Sequence, residues 1–240
     1  PYKMVIAVAN QKGGCAKTTT AVNLAAALAR GHQKMGLPPA KVLLIDLDPQ
    51  GNCATSFGIE KKRVKKTAYD LLTNDLGEEL PLMEEYLIGP EDLTASMRNA
   101  WMLRNEKGRP PATLTTENLW LLPSDIHLSG AEIELSHKIG RETRLKEALA
   151  PIIDHFDYII IDTPPSLGLL SINALSAANW VMVPVQAEYY SLEGFSMLMN
   201  SVKMIQRRIN RNLKIFGVVM TMVDARSKLS RHVCDQVALS

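Results

Sequence analysis

Three groups of lysine, threonine and aspartate residues in this 240-residue chain could do chemistry. The first lies in Val5–Thr20, VIAVANQKGGCAKTTT, where a short apolar run meets a glycine turn, a lysine and three threonines. Gly13 and Gly14 let the backbone bend close to a ligand, so that consecutive N–H groups point inward at phosphate oxygens. Lys17 can reach the β- and γ-phosphates of a nucleotide, and the Thr18 hydroxyl can hold a magnesium ion. The helical pattern that follows adds the positive end of its dipole. Cys15 lies in the same loop, where its backbone matters more than its thiol.

The other two groups are acidic strand ends. Asp46 and Asp48, in VLLIDLDPQGN, sit two apart where an apolar strand emerges, so both can project toward one rim of a sheet. That rim is the carboxyl edge, where open α/β sheets bind ligands. Tyr158–Ser166, YIIIDTPPS, is an apolar strand ending in Asp162, an arrangement that holds Mg²⁺ through water. Pro164 and Pro165 stiffen the loop beyond it, a plausible sensor of the γ-phosphate. The guanine-reading Asn-Lys-x-Asp motif should follow the sixth strand, but that position reads Thr221-Met-Val-Asp224, which favours adenine.

The usual phosphate-loop pattern, G-x-x-x-x-G-K-[ST], is not met. Aligned on Lys17-Thr18, Gln11 stands where the first glycine belongs and Ala16 where the second does. The stretch matches the deviant form K-G-G-x-[GA]-K-[ST], with an additional lysine at Lys12. A second lysine adds positive charge where a phosphoryl-transfer transition state becomes more negative. Crowding it beside Lys17 and a metal in an empty monomer is unfavourable. One resolution is that Lys12 swings out to serve a second subunit's nucleotide, as an arginine finger does in trans.

On these residues the chain resembles the ParA/Soj branch of the deviant Walker A ATPases, which partition plasmids, chromosomes and other cargo. The resemblance extends through DPQGN, LGLLSINAL and Val183–Gly194, VPVQAEYYSLEG, and leaves Lys61–Glu117 as its gap. It implies ATP and Mg²⁺ as cofactors, with Lys12, Gly13, Gly14, Cys15, Ala16, Lys17, Thr18 and Thr19 around the phosphates. It implies that Asp48 positions the attacking water, that Asp46 lies beside the magnesium site, and that Lys12 is the signature lysine of a homodimer sandwiching ATP. The arginine matching Arg226, in D-A-R, belongs in the family to a surface for nonspecific double-stranded DNA built across the dimer, and Lys228 and Arg231 lie nearby. The resemblance further implies slow hydrolysis, stimulation by a ParB-like centromere-binding or cargo adaptor protein, and a nucleoid-associated, cytoplasmic location with no membrane contact.

These groups need a scaffold that brings three strand ends to one edge. Hydrophobic content of 46% and charged content of 22% are ordinary for a globular protein, and the length suits one sizeable α/β domain over residues 1–240. No apolar run approaches the roughly 18 residues of a membrane span, and no secretory signal opens the chain. Cys15, Cys53 and Cys234 lack paired spacing, which fits a reducing cytoplasm. Strands are predicted at Val5–Ala9, Lys41–Asp46, Asn118–Leu122, Tyr158–Asp162, Trp180–Val185 and Ile215–Met222. Helices are predicted at Lys17–Arg30, Arg141–His155, Gly168–Ala177, Leu192–Asn210 and Lys228–Leu239. The alternation predicts a doubly wound, mainly parallel sheet with helices on both faces, the phosphate-loop NTPase fold.

Residues 61–117 form an irregular, insert-like segment, with short helices expected at Thr67–Leu72 and Glu78–Leu87, another beginning at Pro90, and an exposed linker at Lys107–Thr116. Pro1 in place of methionine suggests a cropped or processed start. The stop at Ser240, inside a helical pattern, suggests a truncated C-terminus.

A net charge of +2 means that DNA contact must come from a local patch. Lys61–Lys66 (KKRVKK) and Arg207–Arg211 read mainly as solvated faces, and Arg226–Arg231 as the DNA-contacting cluster. None has interleaved aromatics, which fits phosphate contact and argues against base stacking. The five histidines show no ligand spacing. Met197, Leu198, Met199, Val202 and Ile205 are expected on a buried helix face. The alternatives are a MinD-like, membrane-associated division-site ATPase, an iron–sulfur reductase component, which the cysteine-free TPPS segment disfavours, and a metabolic ATP-dependent ligase, which would not need Lys12.

Overall fold

The structure, a computed structural model, describes residues 3–74, 85–104, 109–188, 191–224 and 226–238. Its centre is a six-stranded sheet: β1 Met4–Val8, β2 Val42–Asp46, β3 Leu119–Leu122, β4 Tyr158–Asp162, β5 Trp180–Gln186 and β6 Lys214–Thr221. The strands are all parallel and lie in the order β3-β2-β4-β1-β5-β6. Each expected strand is found within one residue at either end, because buried parallel strands are unbroken apolar runs that only a loop can end. The pairing register places Val8 of β1 and Asp46 of β2 opposite the same residue, Asp162 of β4. Two acidic strand ends and the entry to the phosphate loop therefore meet at one point on the carboxyl edge.

The period of two along each strand divides the core into two layers. Val5, Ala7, Leu43, Ile45, Ile159 and Ile161 face α6 Arg144–Leu149, α7 Leu169–Ala177 and α8 Ser191–Arg208. Ile6, Val8, Val42, Leu44 and Ile160 face α1 Lys17–Arg30, α2 Asn52–Ser56 and α4 Pro90–Arg104. In α1 the buried positions Ala21, Ala25 and Ala29 recur every four residues. Small side chains along that stripe bring the helix close to the sheet and so draw its N-terminus over the strand ends.

Several expectations need correction. The helix expected over Arg141–His155 is only α6, followed by a 3-10 turn at Ile153–His155. Pro151 has no N–H and its ring excludes the preceding turn, which stops the helix. Two helices were not anticipated, the five-residue α2 and α5 Leu128–Leu135, whose interior contains Gly130. Met197 is exposed, whereas Leu198, Val202 and Ile205 do line the core. The 61–117 segment carries α3 Ala68–Thr73 and the fifteen-residue α4. Its linker is exposed at residues 111–113 but ends on a buried Thr116, which hydrogen-bonds Thr94 and Pro90 of α4. Most of the helix expected at Glu78–Leu87 lies outside the described residues, as do Tyr189, Tyr190 and Ala225. Among the described residues no helix is long and apolar enough to cross a membrane.

Candidate nucleotide site and basic surface

The phosphate loop leaves β1 and re-enters secondary structure at Lys17, the first residue of α1. Gly14 is left-handed, with φ +73°, and so is Ala16, with φ 66°. Ala16 therefore adopts the backbone that the missing second glycine would have taken, at a cost on the order of 1 kcal/mol for its Cβ. Lys17 is buried, and its ammonium donates to the Lys12 carbonyl at 3.0 Å, bending over the mouth of the loop. Cys15 is buried beneath, its thiol donating to the same carbonyl at 3.2 Å, and burial raises its pKa. Gly13 and Thr19 are exposed, Thr18 half-buried.

Asp46 and Asp162 sit side by side with no solvent exposure. Asp46 accepts from the backbone N–H of Asp48 and of Cys53, each at 3.0 Å. Burial, reinforced by the neighbouring Asp162 charge, pushes its pKa up to about 7. Burial likewise pushes Asp162 up to about 6, opposed by the Thr18 hydroxyl. One Asp162 oxygen takes the Cys53 thiol at 3.7 Å, while the other, Oδ1, is buried with no hydrogen-bond partner. Two desolvated carboxylates and an orphaned oxygen beside a threonine hydroxyl suit a small, oxygen-seeking divalent cation, and Mg²⁺ is such an ion. Cys53 completes a group of three ligand-type side chains within 4.8 Å. Burial and the two carboxylates hold its thiol protonated, which leaves it a donor to Asp162 and not a metal ligand. Sequence reasoning missed Cys53, which only the fold places there.

Asp48 is half-buried, one turn outward from Asp46, and its carboxylate accepts the Gln50 N–H at 2.9 Å. The turn closes through Gly51, with φ +60°, where a Cβ would lie 2.7 Å from the Ser124 carbonyl oxygen. Asp48 lies close enough to the buried pair for its charge to act on both Asp46 and Asp162. Lys12 points the other way. Its N–H donates to Asn10 Oδ1 at 3.1 Å, and its ammonium forms an ion pair with Glu188 Oε2 at 2.8 Å. Asn10 in turn donates to the Pro184 carbonyl at 2.6 Å, stitching the ends of β1 and β5 together.

Arg226, Lys228 and Arg231 are all exposed. Arg226 precedes α9 Lys228–Ala238 and pairs loosely with Asp224 at 3.3 Å, with its side chain 94% exposed. Lys228 and Arg231 occupy the first turn of α9, where the helix dipole disfavours cations. Helix stability therefore does not explain them. By contrast, Arg207 and Arg208 end α8, where the dipole favours them. In the Lys61–Lys66 run, Arg63 pairs with Glu60, Lys66 with Glu85, and Lys61 bonds the Gln50 carbonyl. That run is partly neutralised where it stands.

One contact joins β6 to the phosphate loop, and another joins α9 to the end of β5. Thr221, the last residue of β6, donates to the Cys15 carbonyl at 3.2 Å. Ser230 of α9 donates to the Ala187 carbonyl at 3.2 Å, one residue from Glu188. Grooves of about 440 Å³ against residues 58–66 and about 1000 Å³ against residues 110–117 flank α4, and one of about 770 Å³ lies between the end of α1 and residues 31–34.

An AAA domain family matches residues 3–215. The sporulation initiation inhibitor protein Soj of Bacillus subtilis is 44% identical over 97% of this chain and 78% of its own length. The chain belongs to the ParA/Soj family. The chromosome-partitioning ATPase Soj of Treponema pallidum is 40% identical, over 95% of this chain and 75% of its own. A solved structure of cobyrinic acid a,c-diamide synthase from Mycobacterium smegmatis, with bound ATP analogue and magnesium, superposes with a TM-score of 0.77. It is 37% identical and the match covers 99% of this chain and 82% of that one. This ParA/Soj chain therefore shares its fold with P-loop ATPases, and its sheet is the one expected of them.

Proposed function

We propose that this ATPase is an ATP-dependent dimerisation switch that binds double-stranded DNA without regard to sequence. Two copies sandwich ATP, the dimer presents paired basic segments to DNA, and slow hydrolysis, stimulated by a ParB-like partner, releases it. A plasmid, chromosome or other cargo is thereby partitioned or positioned, in the cytoplasm at the nucleoid. The observation that carries this reading is Lys12, a second lysine in the phosphate loop turned outward onto Glu188 while Lys17 covers the loop.

In this reading backbone N–H groups from Gly13 to Thr19 cradle the phosphates, and Lys17 leaves the Lys12 carbonyl to meet them. Thr18, Asp162 and Asp46 would hold Mg²⁺, which when bound would supply positive charge against the phosphates. Asp48 accepts a hydrogen bond from the attacking water and aligns it. Lys12 of each copy reaches the other's nucleotide. The Thr221–Cys15 and Ser230–Ala187 contacts support coupling of the loop to the basic segment.

DNA binding measured with no nucleotide, with ADP and with ATP tests the proposal. Affinity should rise with ATP alone; equal affinity in all three states overturns the switch. A metabolic ligase is the second reading, favoured by the name of the solved relative. It predicts an ATP-insensitive monomer. A MinD-like ATPase instead predicts ATP-dependent binding to lipid vesicles in a parallel arm.

A further inference from the structure

Glu188 stands out because both of its oxygens are committed. Oε2 takes the Lys12 ammonium at 2.8 Å and Oε1 takes the Gln186 side-chain amide at 2.7 Å. The amide fixes the carboxylate on the far side, so the cation meets a preset acceptor rather than a mobile one. The backbone of Lys12 is itself anchored through Asn10 to the end of β5, the strand from which Glu188 emerges. In this loop conformation the two ends of the pair are therefore held within reach.

We propose that Glu188 is a positioning residue that parks Lys12 on its own subunit and so sets the nucleotide threshold for dimerisation. The proposal rests on the reading of Lys12 as the lysine that reaches the partner's nucleotide. An ammonium held at Glu188 cannot occupy the second subunit's phosphates, and the reach across requires this pair to break. The side chains are 26% and 53% exposed, so the pair is screened and weak enough to open without unfolding anything. An exposed ion pair of this kind shifts an equilibrium by about two- to fivefold, the size of a threshold adjustment and not of a lock. The parking also keeps the ammonium off the subunit's own Lys17, where two cations would repel.

The release has an address. Ala187 donates its N–H to the Thr221 carbonyl at 3.1 Å and accepts from Ser230, so the residue next to Glu188 already seats the start of α9. Breaking the pair strips Glu188 of its cation beside the basic segment.

The test compares wild type, Glu188→Gln, Glu188→Asp and Lys12→Ala for the concentration of a non-hydrolysable ATP analogue giving half-maximal dimer, by sedimentation. Nucleotide affinity of the monomer and melting temperature are measured alongside. Glu188→Gln should dimerise at about two- to fivefold lower analogue concentration, with monomer affinity unchanged and melting lowered by no more than about 2–4 °C. Glu188→Asp, which keeps the charge, should retain most of the wild-type threshold. The gap between wild type and Glu188→Gln should close as salt rises from about 0.05 M to about 0.5 M, since screening already weakens the pair. An unchanged or higher threshold in Glu188→Gln, with Lys12→Ala unable to dimerise, overturns the parking role and leaves the trans lysine standing. Wild-type dimerisation by Lys12→Ala overturns the reading of Lys12 and the parking role with it.

Discussion

Asp46 and Asp162 are two carboxylates that the folded chain holds out of water beside each other, and their raised pKa values measure that conflict. With folded values near 7 and 6 against an ordinary 3.8, the native state binds more protons than the unfolded one between these limits. Stability of the nucleotide-free protein should therefore fall as pH rises from about 4 to about 7 and then level off. Asp162→Asn removes one of the charges, so the nucleotide-free protein should gain up to about 3 kcal/mol near pH 8. Thermal melts in chelator at acid and alkaline pH read this directly, and a less stable variant at alkaline pH contradicts it. Asp48 lies outside the pair and is proposed to touch only water. Asp48→Ala should abolish ATP turnover while leaving nucleotide affinity within a few-fold of wild type. An affinity loss like that of Lys17→Ala, measured by nucleotide titration, assigns Asp48 to binding instead.

At the scale of elements, the phosphate loop and α9 each carry a residue choice that local stability does not favour. Ala16 sits in left-handed backbone at φ 66°, so Ala16→Gly should stabilise the protein by up to about 1 kcal/mol. Gly14→Ala, at φ +73°, should destabilise it by a similar amount. Denaturant melts of the two variants should move in opposite directions. In α9, Lys228 and Arg231 face the positive end of the helix dipole. Replacing both with glutamate should stabilise the helix by about 0.3–1 kcal/mol per residue and weaken DNA binding. A variant both more stable and undiminished in DNA affinity argues against the assigned surface.

Across the whole molecule, β6 is the member that joins the two chemistries: its last residue bonds the phosphate loop and the basic segment follows within five residues. In the proposed switch, nucleotide-driven pairing of two copies would double the cations offered to one duplex, and each phosphate neutralised would release counterions. DNA affinity in ATP should fall steeply with salt. Arg226→Ala should flatten that dependence by about one power of salt concentration for each DNA phosphate that the arginine neutralises, leaving ATP-dependent dimerisation unchanged. Titrations with random-sequence DNA at several salt concentrations, with sizing runs, check both halves. An unaltered slope removes Arg226 from the interface.

The sequence by itself determined the sheet, the phosphate loop and the three acidic positions. Those features are local: an apolar run ended by aspartate, or two glycines before a lysine, specifies its own geometry. The alternating strands and helices then left one economical way to cover both faces of a parallel sheet. What only the tertiary structure decided depends on contacts between distant segments. Val8, Asp46 and Asp162 converge because three strands pair in one register. Cys53 meets both carboxylates because α2 folds back under β2, and no spacing in the chain announces that. The helical pattern runs on both sides of Pro151, but the ring and missing N–H stop α6 at Leu149. Glu188 lies 176 positions from Lys12, and their pairing exists only because β5 lies beside β1. A charge reads from sequence as a residue type; its partner is a fact of the fold.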